Sequence, residues 1–216
     1  MLMKACGSAT WGPVDIFSVK FSEMPSMQGL GDATFTMGLI FSAVGLGCTL
    51  GPFVFNPFTA PTKASLTAAV AASLACLAVG YWAMLQATNV YTMILAQTVR
   101  AMGSAVLWID SSLLLQLRVP NAVLGRVAAL ELAAYTVAEG TSSLLGGLSF
   151  DALHWTLHQS VLAVAVLATG IAAAWAVIAH GTWRAARAAA YKPLADRDEV
   201  GERGLEAGLE LATRQL

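Results

Sequence analysis

Residues 90–127 read VYTMILAQTVRAMGSAVLWIDSSLLLQLRVPNAVLGRV, an apolar stretch with Arg100 and Asp110 set inside it and a basic turn at its end. A charge near the centre of a bilayer costs on the order of 3 kcal/mol or more, so it normally faces protein or water rather than lipid. The stretch therefore demands a bundle with a polar inner side. On one helix Arg100 and Asp110 lie about 15 Å apart along the axis and about 80° around it, too far to pair with each other.

Composition supports a bilayer setting. Of 216 residues, 57% are hydrophobic and 12% charged, and the mean hydropathy is +0.67. Soluble domains carry about 25% charged residues. Nearly half of the 25 charged side chains lie beyond residue 183, which leaves the rest too sparse to cover a soluble globule. Cys6, Cys48 and Cys76 fall in apolar stretches without metal-ligand spacing and read as small hydrophobes.

A bilayer-spanning helix needs about 20 mostly apolar residues. Six stretches approach this: 1–19, interrupted by Trp11-Gly12-Pro13, then 33–55, 65–86, 90–116, 124–150 and 160–180. The expected fold is an all-α integral membrane bundle of six transmembrane helices over 1–182, with a hydrophilic, disordered cytoplasmic tail over 183–216. Lys63, Arg118, Arg126, Arg184, Arg187 and Lys192 fall on one side of such a bundle; the other holds Lys20, with Glu23, Asp32 and Asp151. The positive side is cytoplasmic by the usual bias, so both termini are expected there.

Charge also sorts the helices. Stretches 65–86 and 160–178 carry none and are expected at the lipid-facing periphery. Gly47 and Gly51 have the spacing that lets two helices approach closely, and Gly51-Pro52 is either a packing feature or a hinge for a gate. Stretches 90–116 and 124–150 run antiparallel across a short turn. Arg100 and Glu139 then match in depth in the outer half, as do Asp110 and Glu131 in the inner half. The expectation is an Arg100–Glu139 charge pair and an Asp110–Glu131 acidic site that exchanges a proton. The plainer alternative pairs Glu131 with Arg126 and sets Asp110 against Ser111 and Ser112. Asp15, beside Trp11, lines the same path or sits at the interface. His154, His158 and His180 form no metal-ligand spacing.

The turn Gln116-Leu117-Arg118-Val119-Pro120-Asn121 followed by Gly125-Arg126-Val127 resembles the cytoplasmic turn between the tenth and eleventh helices of major facilitator superfamily transporters, in their drug- and siderophore-exporter branches. Gly45-Leu46-Gly47-Cys48-Thr49-Leu50-Gly51-Pro52 is similar to their glycine-rich eighth helix. The resemblance covers residues 1–182 and implies the C-terminal six-helix half, built as two inverted three-helix repeats. The family's Asp-Arg loop signature is missing from 56–63, as suits a second half. Met1 opens almost inside a helix, as if a preceding half were absent. The implied function is secondary transport of a small solute by alternating access, possible only with a complementary six-helix half, either preceding sequence or a second copy. The alternative is a six-span scaffold whose charges are static glue. Zinc-hydrolase, nucleophile-elbow and phosphate-loop motifs are absent, so no enzyme, cofactor or metal is expected, and no nucleic-acid signal appears.

Overall fold

The structure, a computed structural model, describes residues 2–190. Helices are α1 Leu2–Trp11, α2 Val14–Ser22, α3 Ala33–Phe55, α4 Lys63–Leu85, α5 Val90–Arg118, α6 Asn121–Asp151 and α7 Leu157–Ala190. Their starts follow local chemistry. The Asp32 carboxylate accepts the Phe35 N–H at 2.8 Å, and Asn89 exchanges hydrogen bonds with Thr92 in a capping box. Pro120, extended and lacking an N–H, separates α5 from α6. Pro13 likewise divides α1 from α2, since it cannot donate to the Ala9 carbonyl.

The termini of α7 correct one boundary. The helix continues through 183–190, assigned above to the tail, because Ala185, Ala186, Ala188, Ala189 and Ala190 favour helix strongly. The rest of the expected disordered tail, 191–216, lies outside the described residues.

Helix α4 packs between α5 and α7, α3 packs on the far side of α5, and α1 packs along α6. Small residues make these approaches possible. A Cβ on Gly80 would stand 2.6 Å from the Arg100 nitrogen, and one on Gly103 would stand 2.7 Å from the Leu77 nitrogen. Gly47 and Gly51 meet α5 at Ala101 and Met102, so close packing is the role observed for this pair, and α3 runs unbroken through Pro52.

The charge-based sorting fails for α4. Expected at the periphery, it is the helix with the most buried positions apart from α5, including Leu66, Val70, Leu74, Leu77 and Tyr81. A stretch without charge is at home against lipid or against other helices, and the alanines, serines and glycine of α4 favour the latter. α7 is mostly exposed, as expected.

Among the described residues four helices are long and apolar enough to cross a bilayer: α3, α4, α5 and α7. α6, with 31 residues, has the length, about 46 Å at 1.5 Å per residue, but a more polar sequence. α1 and α2 reach a bilayer's thickness only end to end, about 28 Å by the same rise.

Candidate functional site

Helix α6 is inverted relative to a helix on a soluble protein. Its buried residues are Glu131, Ser142, Gly146 and Ser149, with Tyr135 and Glu139 half-buried on the same face. Its outer face carries Leu130, Leu144, Leu145 and Val137, the last 68% exposed, while Leu132 edges the cavity beside Glu131. In water the apolar stripe faces inward. Polar residues inside and leucines outside suit a helix with lipid around it and a polar interior beside it.

What α6 faces is α1, and α1 determines the geometry of the site. Although a short turn joins α5 to α6, the two barely touch. Helix α1 lies against both, antiparallel to α5 and parallel to α6, judging from Lys4 beside Trp108 and Glu131 and from Ser8 beside Ser142. A cleft opens between α5 and α6 with α1 along its floor. Two cavities meet at Trp108. One, about 390 Å³, is lined by Trp11, Tyr135, Ile109, Ala105, Ser104 and Cys48. The other, about 320 Å³, is lined by Lys4, Glu131, Ser112 and Gln116 among others.

The first cavity is aromatic. The Trp108 and Tyr135 rings meet edge to face at 5.2 Å, and Trp11 stands 5.9 Å from Tyr135 and 6.4 Å from Trp108. The second is charged. Lys4 Nζ donates to Glu131 Oε2 at 3.0 Å and sits 4.7 Å from the Trp108 ring centre. The two side chains are 10% and 3% exposed. An ammonium over an indole face and against a carboxylate is stabilised by both.

The helix break forms a second polar centre. Near the end of α1, side chains from other helices meet its carbonyls: Tyr81 of α4 donates to the Thr10 carbonyl, and the Ser142 hydroxyl of α6 reaches the Ser8 carbonyl at 3.0 Å, which also keeps the Gly12 N–H. From α5, Arg100 Nε donates to Gln97 Oε1 at 2.8 Å, and Gln97 donates to Ser18 of α2 at 3.2 Å. The Arg100 guanidinium also lies 6.0 Å from the Tyr81 ring centre.

The expected charge pairs are both replaced. Arg100, 5% exposed, is held by Gln97 and Tyr81 rather than by Glu139. The reason is spatial, since α2 meets α5 at Gln97 and α1 meets α6 at Ser142, so the broken pair lies between them there. Glu131 pairs with Lys4, so neither a shared site with Asp110 nor the alternative pair with Arg126 forms. Asp110, 1% exposed, has an Oδ2 with no hydrogen-bond partner. Ser111 and Ser112, considered as its companions, donate to the Trp108 carbonyl instead. Asp15 is exposed in the first turn of α2. At the α5–α6 turn, Arg118, Pro120, Gly125 and Arg126 are all exposed.

Lys4 is the residue that sequence reasoning missed. Its spacing with Ser8 and Trp11, one helical face, was the available signal. Among the described residues no cluster of three or more His, Cys, Asp or Glu is placed to hold a metal.

The helices and their apolar outer surface support an integral membrane protein. Compared with known proteins, the chain matches no family model, no curated protein and no solved structure.

Proposed function

We propose that this chain is a six-span bundle of a secondary transporter, of the major facilitator type, and that the cleft between α5 and α6 is where a small solute enters it. The observation that carries the reading is the inverted α6. Its Glu131 and Tyr135 line a cleft while Leu130, Val137, Leu144 and Leu145 are exposed on its other side. α1–α2 acts as the first span, divided at Gly12-Pro13, in the manner of the discontinuous helices of many transporters. α6 is the fifth span, and both termini lie in the cytoplasm. Alternating access requires a second six-helix bundle rocking against this one across the cleft.

Asp110 is the group proposed to couple transport to protons, since Glu131 is committed to Lys4. Arg100 is then structural, tying α5 to the helix break through Gln97 and Ser18. That same network favours the second reading, a non-transporting scaffold, because every contact described for Arg100 is to the bundle itself.

Reconstitution in proteoliposomes, alone and with a complementary bundle, separates the two. The transporter reading expects solute flux only with the second bundle, and loss of that flux in Trp108→Ala. Flux from a demonstrated monomer, or a Trp108→Ala protein with undiminished flux, contradicts it.

A further inference from the structure

We propose that the groove between α4 and α7 binds a phospholipid of net negative charge, with an acyl chain in the groove and the phosphate on Arg187. The groove shares no residue with the cavities of the α5–α6 cleft, so the proposal is independent of the transporter reading. It measures about 530 Å³ and is lined by Ala72, Ala75 and Val79 of α4 and Ala173 and Ala176 of α7, among others. All five are exposed, and in a membrane bundle an exposed apolar groove meets acyl chains. At one end Trp82 Nε1 donates to Thr169 Oγ1 at 3.0 Å and bridges the two helices. Toward the other end α7 carries His180, Trp183 and Arg187, all exposed. Arg187 stands 18 residues after Thr169, about five turns, and so returns to the face that lines the groove.

Length and charge together select the occupant. The Arg187 guanidinium lies 3.9 Å from the centre of the Trp183 ring, one turn back toward the groove, the direction in which helical side chains lean. From Trp183 to Thr169 is 14 residues, about 21 Å of helix. One leaflet with its headgroups is about 20–22 Å deep, half of a bilayer. The site is therefore one lipid long, with the phosphate at Trp183 and the chain end at Trp82. Exposed Trp155, just before α7, sits near the opposite headgroup level, since Leu157 to Trp183 spans about 39 Å. A guanidinium stacked on an indole keeps its N–H edge free for a phosphate. Arg184 is exposed beside it, and His180 stacks on the same indole at 6.4 Å. Neither α4 nor α7 contains an acidic residue, and among the described residues Arg187 has no carboxylate partner. A headgroup of net negative charge is attracted to such a basic end. A zwitterionic headgroup brings its own ammonium to the same cations and gains less.

Native mass spectrometry of the full chain released from detergent micelles tests this with three probes. They are dioleoylphosphatidylglycerol, dioleoylphosphatidylcholine and glycerol 3-phosphate, the last a headgroup without chains. Phosphatidylglycerol is expected to bind at least fivefold more tightly than phosphatidylcholine, and glycerol 3-phosphate not to be retained. Arg187→Gln is expected to remove that preference. Ala173→Leu fills the groove and is expected to weaken both lipids at least threefold while keeping the preference. Arg118→Gln/Arg126→Gln removes two exposed cations at the α5–α6 turn and is expected to change neither lipid by more than twofold. The preference is a ratio read within one protein, so it does not depend on how much of a variant folds. Equal binding of the two lipids by the unaltered chain overturns the proposal, as does an undiminished preference in Arg187→Gln. An equal loss in the Arg118→Gln/Arg126→Gln protein would show diffuse attraction to the whole basic end, and would overturn it too. Retention of glycerol 3-phosphate as tight as the lipid, or unchanged lipid binding in Ala173→Leu, would remove the groove from the site. A dimer that Ala173→Leu abolishes would give the groove to a second copy of the chain and contradict the lipid assignment.

Discussion

Removing the Lys4 ammonium is the perturbation whose consequence follows most directly from the geometry. The pair is 3.0 Å long and the side chains are 10% and 3% exposed. At an effective dielectric of about 20, two unit charges at that distance attract by about 5.5 kcal/mol, against a desolvation cost of several kcal/mol for each ion. The net worth of the pair is therefore small, but breaking one side is not. Lys4→Met is expected to destabilise the bundle by about 3–5 kcal/mol, lowered to the extent that water enters the cleft beside Glu131. Glu131→Leu alone leaves the ammonium over Trp108 without its carboxylate and is expected to cost a similar amount. The double variant replaces ions with apolar groups of comparable size and is expected to fall within about 1 kcal/mol of the unaltered chain, as such replacements often do. Unfolding of all four proteins in mixed micelles by SDS titration gives the double-mutant cycle. The coupling energy is expected to exceed about 2 kcal/mol. Additive single effects, with coupling under about 0.5 kcal/mol, would show that the two groups do not sense each other, and the reasoning about the cleft's charged end would fail.

Other consequences are open to similar tests. Gly80→Leu places a side chain against the Arg100 backbone and is expected to cost at least 1–3 kcal/mol, whereas Gly45→Ala, with open space around it, is expected to leave the thermal melt unchanged. Tyr81→Phe removes the donor to the Thr10 carbonyl at the helix break; a loss of about 1–3 kcal/mol is expected, and an unchanged melting temperature would mean that another group replaces it. Cys48 is exposed on the aromatic cavity while Cys76 donates to the Val99 carbonyl at 3.2 Å. A water-soluble maleimide is therefore expected to label Cys48 much faster than Cys76, with solute slowing it; equal rates would contradict that placement. Asp110→Asn is expected to flatten the pH dependence of flux, and an unaltered profile would remove Asp110 from proton coupling.

The sequence made the helices legible because each has a chemical cause within a few residues. Asp32, Asn89 and Pro120 mark starts, and the break at Gly12-Pro13 was visible as an interruption. Burial of Arg100, Asp110 and Glu131 followed from the cost of charge in lipid, and all three are buried. Which charges meet was not legible. Matching depth along two antiparallel helices assumes that neighbours in sequence are neighbours in space. Here α1 enters between α5 and α6, so Lys4, 127 positions away, takes Glu131. The misplacement of α4 has a related origin. Lack of charge allows a helix to face lipid, while the choice between lipid and protein depends on how closely Gly80 and Gly103 let backbones approach.

The claim beneath all of this is that α6 crosses the membrane with its polar face turned to a water-accessible cleft. Single cysteines along α6, in a chain freed of Cys6, Cys48 and Cys76, can be challenged in intact membranes with a charged thiol reagent. Tyr135→Cys and Glu139→Cys are expected to react, and Val137→Cys, Leu144→Cys and Leu145→Cys to stay protected. Rapid reaction at those three outer positions would place α6 in water rather than lipid and contradict the account.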